Sequence, residues 1–177
     1  MPTDNNGSEV VLPALDTPGA GGANGYFVLG IGTQLNNTAA VPSMVSVIPT
    51  NSSTNFTTIF QGHSYTGSFI DSGSNGLFFP QVGTNLPTDA SGFYNPTAIT
   101  PFVAFYNNST GQHAIAFNIL GSAIAFAPYS PNLAFNDVGA EFNGGFDWGL
   151  PFFFGKTVYI GIEGKSTNLG TGPYWAY

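Results

Sequence analysis

The sequence predicts an all-β fold, and three observations carry the prediction. Turn-forming residues recur about every eight to twelve positions, and the runs between them are rich in β-branched and aromatic residues. Apolar residues at helical spacing are nearly absent. Gly (24) and Pro (13) are too frequent for long helices. The chain has 177 residues, of which 42% are hydrophobic and 15% aromatic, enough for one domain with a substantial core.

Residues 1–24 begin polar, carry the apolar run Val10-Val11-Leu12 and end in Pro18-Gly19-Ala20-Gly21-Gly22. They read as a flexible N-terminal segment with an edge strand. Residues 25–177 read as a single β lobe, without a second domain or a tandem repeat. Within it, strands are expected over Gly25–Thr33, Met44–Ile48, Phe56–Phe60 and Ser64–Ile70, the last two forming a hairpin through Gln61-Gly62-His63. Leu77–Phe79 is a further strand, and 81–96 a polar loop with room for a short helix. Thr100–Tyr106 and Gln112–Asn118 flank the turn signal Asn107-Asn108-Ser109-Thr110-Gly111, a second hairpin. Ala123–Ala127 reads as a short strand, 131–141 as holding one helical turn, and 144–149 as turn-rich. Leu150–Gly155 fits a helical turn or a strand, Thr157–Ile162 is a strand, and Tyr174–Tyr177 ends the chain as another.

Charge and composition exclude several function classes. Charged residues are only 6% of the chain, so Asn, Ser, Thr and Gly must carry solubility. Two Lys plus Arg against nine Asp plus Glu give a net charge of -7, which leaves no basic footprint for nucleic acid. With no Cys, disulfides and thiolate metal sites are ruled out, and His63 and His113 stand apart without metal-ligand spacing. No cofactor or metal is implied. No apolar run reaches the roughly 18 residues of a membrane span. The opening Met1-Pro2-Thr3-Asp4 lacks the basic start of a signal peptide, while the Asn/Thr/Gly-rich composition suits a secreted protein, extracellular or periplasmic.

One stretch carries chemistry. Ser68-Phe69-Ile70-Asp71-Ser72-Gly73-Ser74-Asn75-Gly76-Leu77-Phe78-Phe79-Pro80 reads as apolar strand, polar turn, apolar strand, with Asp71 at the tip. Gly73 lets the backbone turn sharply so that amides face the carboxylate, and the hydroxyls of Ser72 and Ser74 can donate to it. Water activation by aspartate needs a second carboxylate nearby, so that the pair shares one proton and divides the roles of general base and general acid.

Asp71 through Pro80 resembles the active-site signature of pepsin-like aspartic proteases, D-[TS]-G-S-x-x-L-[WF]-x-P. Tyr26–Thr33 resembles the family's opening strand, and Trp148–Gly155 followed by Val158-Tyr159-Ile160 the closing part of a lobe. The whole chain is similar to an uncharacterised family of secreted bacterial proteins that resemble a two-lobed pepsin and share the segments at Phe146–Gly155 and Gly172–Tyr177. In that family this region is the C-terminal half of a longer chain. The resemblance implies one pepsin-like lobe, a closed barrel of antiparallel strands with one or two short helices. It implies Asp71 as catalytic carboxylate, with Ser72, Gly73 and Ser74 orienting it, and a peptide or protein as substrate. The sequence departs from the pattern in holding only one D-[TS]-G, and in Asp147-Trp148-Gly149 where the family has two apolar residues and Gly. Ile119-Leu120-Gly121 fits that element literally, but Gly149 is preferred because a short turn and a strand follow it. Tyr65 and Tyr94 are the candidates for a flap tyrosine.

A single lobe with one such aspartate needs a homodimer or a missing first lobe to complete the pair. Two readings therefore stand beside each other: an aspartic endopeptidase half-site, and a non-catalytic secreted β-domain used for binding or self-assembly. Phe152–Phe154, Trp148 and Trp175 are expected in the core, with a sugar-stacking surface as the lesser alternative.

Overall fold

The computed structural model describes residues 3–38, 45–128 and 130–177. Met44, placed by the sequence in a strand, lies outside the described residues. The rest builds fourteen strands, numbered β1 to β14, with one short helix, α1, and two 3-10 turns.

Local hairpins form where alternation and turn chemistry agree. In β4 (Phe56–Phe60) Phe56, Thr58 and Phe60 face inward. The strand is joined to β5 (His63–Ile70) by Gln61 and Gly62, whose φ of 49° and 78° give the two-residue turn that matches strand twist. The longest pair is β7 (Thr100–Asn108) with β8 (Gly111–Ile119), in continuous register from Thr100↔Ile119 to Asn108↔Gly111. At its tip the Asn108 side-chain oxygen accepts the Thr110 amide at 2.8 Å and lies 2.8 Å from His113 Nε2. His113 is thus tied into a turn, and His63 is exposed at the start of β5.

Two sheets carry the molecule. The five-stranded one runs β2 (Tyr26–Leu29), β1 (Gly7–Val11), β11 (Thr157–Gly161), β14 (Tyr174–Ala176), β3 (Val47–Pro49). The seven-stranded one runs β8, β7, β4, β5, β10 (Asp147–Trp148), β6 (Leu77–Phe79), β9 (Gly139–Glu141). Strands β12 (Ser166–Thr167) and β13 (Gly170–Thr171) form a small ribbon. The expected closed antiparallel barrel is corrected. The larger sheet curls into a half-barrel with β8 and β9 as its two ends. Two of its pairings, β10 on β5 and β9 on β6, are parallel, because both strands return by long connections.

Other expectations are corrected for similar reasons. The N-terminal strand is not an edge: β1 is held between β2 and β11. The segment after it is tied by backbone bridges, Leu12 to Phe154 and Ala20 to Ala134. Ala123–Ala127 is not a strand, since α1 spans Ser122–Ala125. Its first amides are met by the preceding loop, Ser122 N–H by the Tyr94 carbonyl at 3.0 Å and Ala123 N–H by the Asn95 side chain at 3.0 Å. The helical turn expected in 131–141 is replaced by the run into β9. Loop 81–96 holds no helix and is braced by a Thr88–Tyr94 bridge. Leu150–Phe153 is a 3-10 turn, and β11 follows it.

The core lies inside the curled sheet and is mostly aromatic. Phe60, Phe79, Phe146 and Trp148 are all 1% exposed or less. Phe79 stacks on Phe146 at 5.3 Å, and Phe146 on Trp148 at 5.1 Å. Each such pair contributes about 0.5–1.5 kcal/mol beyond the area it buries. Trp148 Nε1–H donates to Thr58 Oγ1 at 3.1 Å, which satisfies its one polar group. Phe152, Phe153 and Phe154 are buried as expected, and Trp175 is half-buried, donating to the Thr54 carbonyl at 3.3 Å.

Candidate active site

The core positions the Asp71 turn directly. Asp71 leaves β5 after the buried Ile70, and β6 resumes at the buried Leu77, so the six residues between are pinned at both ends. Gly73 N–H donates to Asp71 Oδ1 at 2.8 Å, and Ser74 Oγ–H donates to Oδ2 at 3.0 Å. The Ser74 amide donates to the Asp71 carbonyl at 3.3 Å and closes the turn. Asp71 is half-buried, and Ser72 is exposed, so the two bonds to the carboxyl come from Gly73 and Ser74.

A third segment braces the turn. Asp71 N–H donates to the Trp148 carbonyl at 3.2 Å, and Leu150 N–H to the Ser74 carbonyl at 2.7 Å. Between them Gly149 passes so close that a Cβ there would stand 2.1 Å from the Gly76 carbonyl and 2.6 Å from that of Ser74. Only glycine fits this contact. Gly121, the literal match in sequence, instead precedes α1, where a Cβ would stand 2.1 Å from the Pro96 carbonyl.

The same segment brings in a carboxylate that sequence reasoning missed. β10 pairs in parallel with β5, Asp147 opposite Phe69 and Trp148 opposite Ile70. Asp147 is 8% exposed, and the Ser74 hydroxyl that bonds Asp71 also reaches its carboxyl. Burial raises Asp147 above the ordinary aspartate value, the Ser74 bond partly offsets this, and the nearby Asp71 carboxyl raises it further. Asp147 Oδ1 has no hydrogen-bond partner.

A hydroxyl has one proton to give and lone pairs to accept with. Ser74 gives its one proton to Asp71, so Asp147 lies beside the turn with Oδ1 unmet and the Asp71 carboxyl as its neighbour. The signal in the sequence was a charged residue at a position where the resembling family has an apolar one. Two other acids act elsewhere. Asp89 accepts Ser122 Oγ–H at 2.6 Å, and the buried Asp137 accepts Thr17 Oγ1–H at 3.0 Å. Neither flap candidate covers the turn as a free side chain: Tyr94 is buried and donates to the Phe79 carbonyl at 2.6 Å, and Tyr65 packs on Phe146 at 5.8 Å.

A cavity of about 260 Å³ opens beside Ser74 and Asp147, walled by Phe69, Phe78, Glu141 and Phe142. A larger one, about 470 Å³, is lined by other residues, among them Ile48, Phe56, Thr57, Ser64 and Tyr106, and holds no carboxylate. Among the described residues no three His, Asp or Glu side chains converge in a way that would hold a metal ion. None of the described helices is long and apolar enough to cross a membrane.

No curated protein matches this chain. A family match covers residues 1–177 from end to end, and the chain therefore belongs to the family DUF3443, proteins of unknown function.

Proposed function

We propose that this domain is one lobe of an aspartic-peptidase-type hydrolase, with a pepsin-like fold and Asp71 as the carboxylate that activates water. The observation that carries this reading is the half-buried Asp71 carboxyl held by Gly73 N–H at 2.8 Å and Ser74 Oγ–H at 3.0 Å at the tip of the braced turn. Both Asp71 oxygens accept a bond from the chain's own turn, which fixes the carboxyl plane. Asp71 removes a proton from water as the water oxygen attacks a peptide carbonyl. A second carboxyl, on a facing lobe, gives its proton to the carbonyl oxygen and a gem-diol forms; that carboxyl takes the proton back as the C–N bond breaks, and Asp71 passes the water's proton to the departing amine. Hydrolysis consumes only water. The facing lobe is a second copy of this chain or a preceding lobe. Gly73 and Ser74 orient Asp71, and Asp147 lies beside it as a second, buried carboxyl.

The test is cleavage of an unfolded protein substrate at acidic pH, with and without Asp71→Asn. The variant is expected to keep its fold and to lose at least about 100-fold in rate. Full activity in Asp71→Asn overturns the reading. Specific activity that rises with protein concentration identifies the second copy as the partner.

A second reading, a secreted domain used for self-assembly, is favoured by β2. This outer strand of the five-stranded sheet exposes Tyr26 (74%), Phe27 (66%) and Leu29 (46%) beside a backbone edge that no strand pairs with among the described residues. Sedimentation of a single monomeric species at high concentration counts against it.

A further inference from the structure

The cavity beside Asp147 has a composition that the water-activating role does not use. Three phenylalanine rings, Phe69, Phe78 and Phe142, wall it, and two carboxyls, Glu141 and Asp147, line it together with Ser74. Phe69 and Phe142 meet edge to face, centroids 6.4 Å apart at 77°, which makes a corner of the wall. We propose that this cavity binds an organic cation, the ammonium or guanidinium group of a lysine or arginine side chain.

Three features argue for that ligand over an apolar one. First, Asp147 is more than nine-tenths buried, lines the cavity, and has one oxygen without a donor. A buried acceptor left unmet destabilises the fold, and an N–H brought by a ligand removes that penalty. Second, no lysine or arginine lines the cavity, and one of the chain's two basic side chains, Lys156, is engaged elsewhere. Its Nζ donates to the Phe152 carbonyl at 2.8 Å and sits 4.7 Å from the Phe152 ring centre. The acid pair is thus uncompensated at the cavity. Third, aromatic walls attract a cation through the ring faces and still accept the methylene stem of a lysine. At about 260 Å³ the cavity is smaller than the roughly 300 Å³ at which drug-sized pockets begin, and it suits one side chain.

Asp147 touches Ser74, which holds Asp71, so a side chain seated here would lie next to the proposed reacting carboxyl. As a selector of basic residues beside the cleaved bond, the cavity rests on the peptidase reading. As a cation site it does not.

The experiment is a titration of the Asp71→Asn protein, which cannot turn over substrate, followed by NMR shifts. The probes are Nα-acetyl-lysine amide and its uncharged counterpart Nα-acetyl-norleucine amide. The lysine amide is expected to bind at least about tenfold more tightly, with shifts at residues 69, 78 and 142. Asp147→Asn is expected to abolish the preference, and Glu141→Gln, a milder change at an exposed residue, to reduce it several-fold. Equal affinity for the two amides overturns the proposal, as does a preference that survives both variants. A lysine preference in binding, with full cleavage retained by Asp71→Asn, leaves the cation site standing and removes the peptidase reading.

Discussion

Ser74 has one proton and two carboxyl neighbours, and that imbalance governs the site. Ser74→Ala removes the donor to Asp71 and the link to Asp147 together. Activity is expected to fall by about 10²-fold or more, with an unchanged thermal midpoint as the sign that orientation of Asp71 and not folding was lost. Asp147 makes a separate expectation at the same scale. Burial holds its folded-state value above the ordinary 3.8. Its contribution to stability is therefore complete below the unfolded value and is lost as pH rises through the raised folded value. Asp147→Asn is expected to raise the thermal midpoint at neutral pH and to change it less in acid. A neutral-pH midpoint below that of the native protein would count against this account of Asp147. Gly149→Ala sets a Cβ against two carbonyls, and is expected to lose about 2 kcal/mol or more in denaturant titrations.

Elements made of neighbouring residues were legible in the sequence, and elements made of distant ones were not. The β4–β5 and β7–β8 hairpins announce themselves, because alternation and turn residues lie within one short window. Strands β9 and β10 are three and two residues long and pair with partners far away in the chain, so no local pattern marks them. Asp147 was invisible as a site residue for that reason. Its meaning comes from parallel pairing with β5, sealed by Phe146 N–H on the Ser68 hydroxyl across 78 positions. The Asp71 turn itself could be read, because its donors Gly73 and Ser74 are two and three residues on. Ala123–Ala127 was misread because a one-turn helix has no periodicity to show, and its caps sit in another loop. Trp148 shows how much a two-residue strand can carry. Trp148→Ala removes a ring packed on Phe146, Phe117 and Phe152 and is expected to destabilise by about 3–5 kcal/mol in equilibrium unfolding.

At the scale of the molecule the buried acids act together. Glu9, Asp137 and Asp147 are all raised by burial, so their protonated forms favour the fold. Asp89 runs the other way: the Ser122 hydroxyl holds it below the ordinary value, and its contribution is lost as pH falls through that lowered value. Thermal midpoints measured between about pH 7 and pH 3 are expected to rise on acidification, pass a maximum between the two sets of values, and then fall. A midpoint that only falls with acid would contradict it. The net charge of -7 adds to the trend, since protonation relieves self-repulsion. The brace from Trp148, Gly149 and Leu150 onto the Asp71 turn has a consequence in time. During synthesis the turn leaves the ribosome long before its brace, with more than seventy residues of chain between Asp71 and Leu150 still to be added. Until that last portion arrives, Asp147 is absent and the Asp71 turn lacks its backbone bonds to Trp148 and Leu150. The turn is therefore fixed in place only in the finished half-barrel.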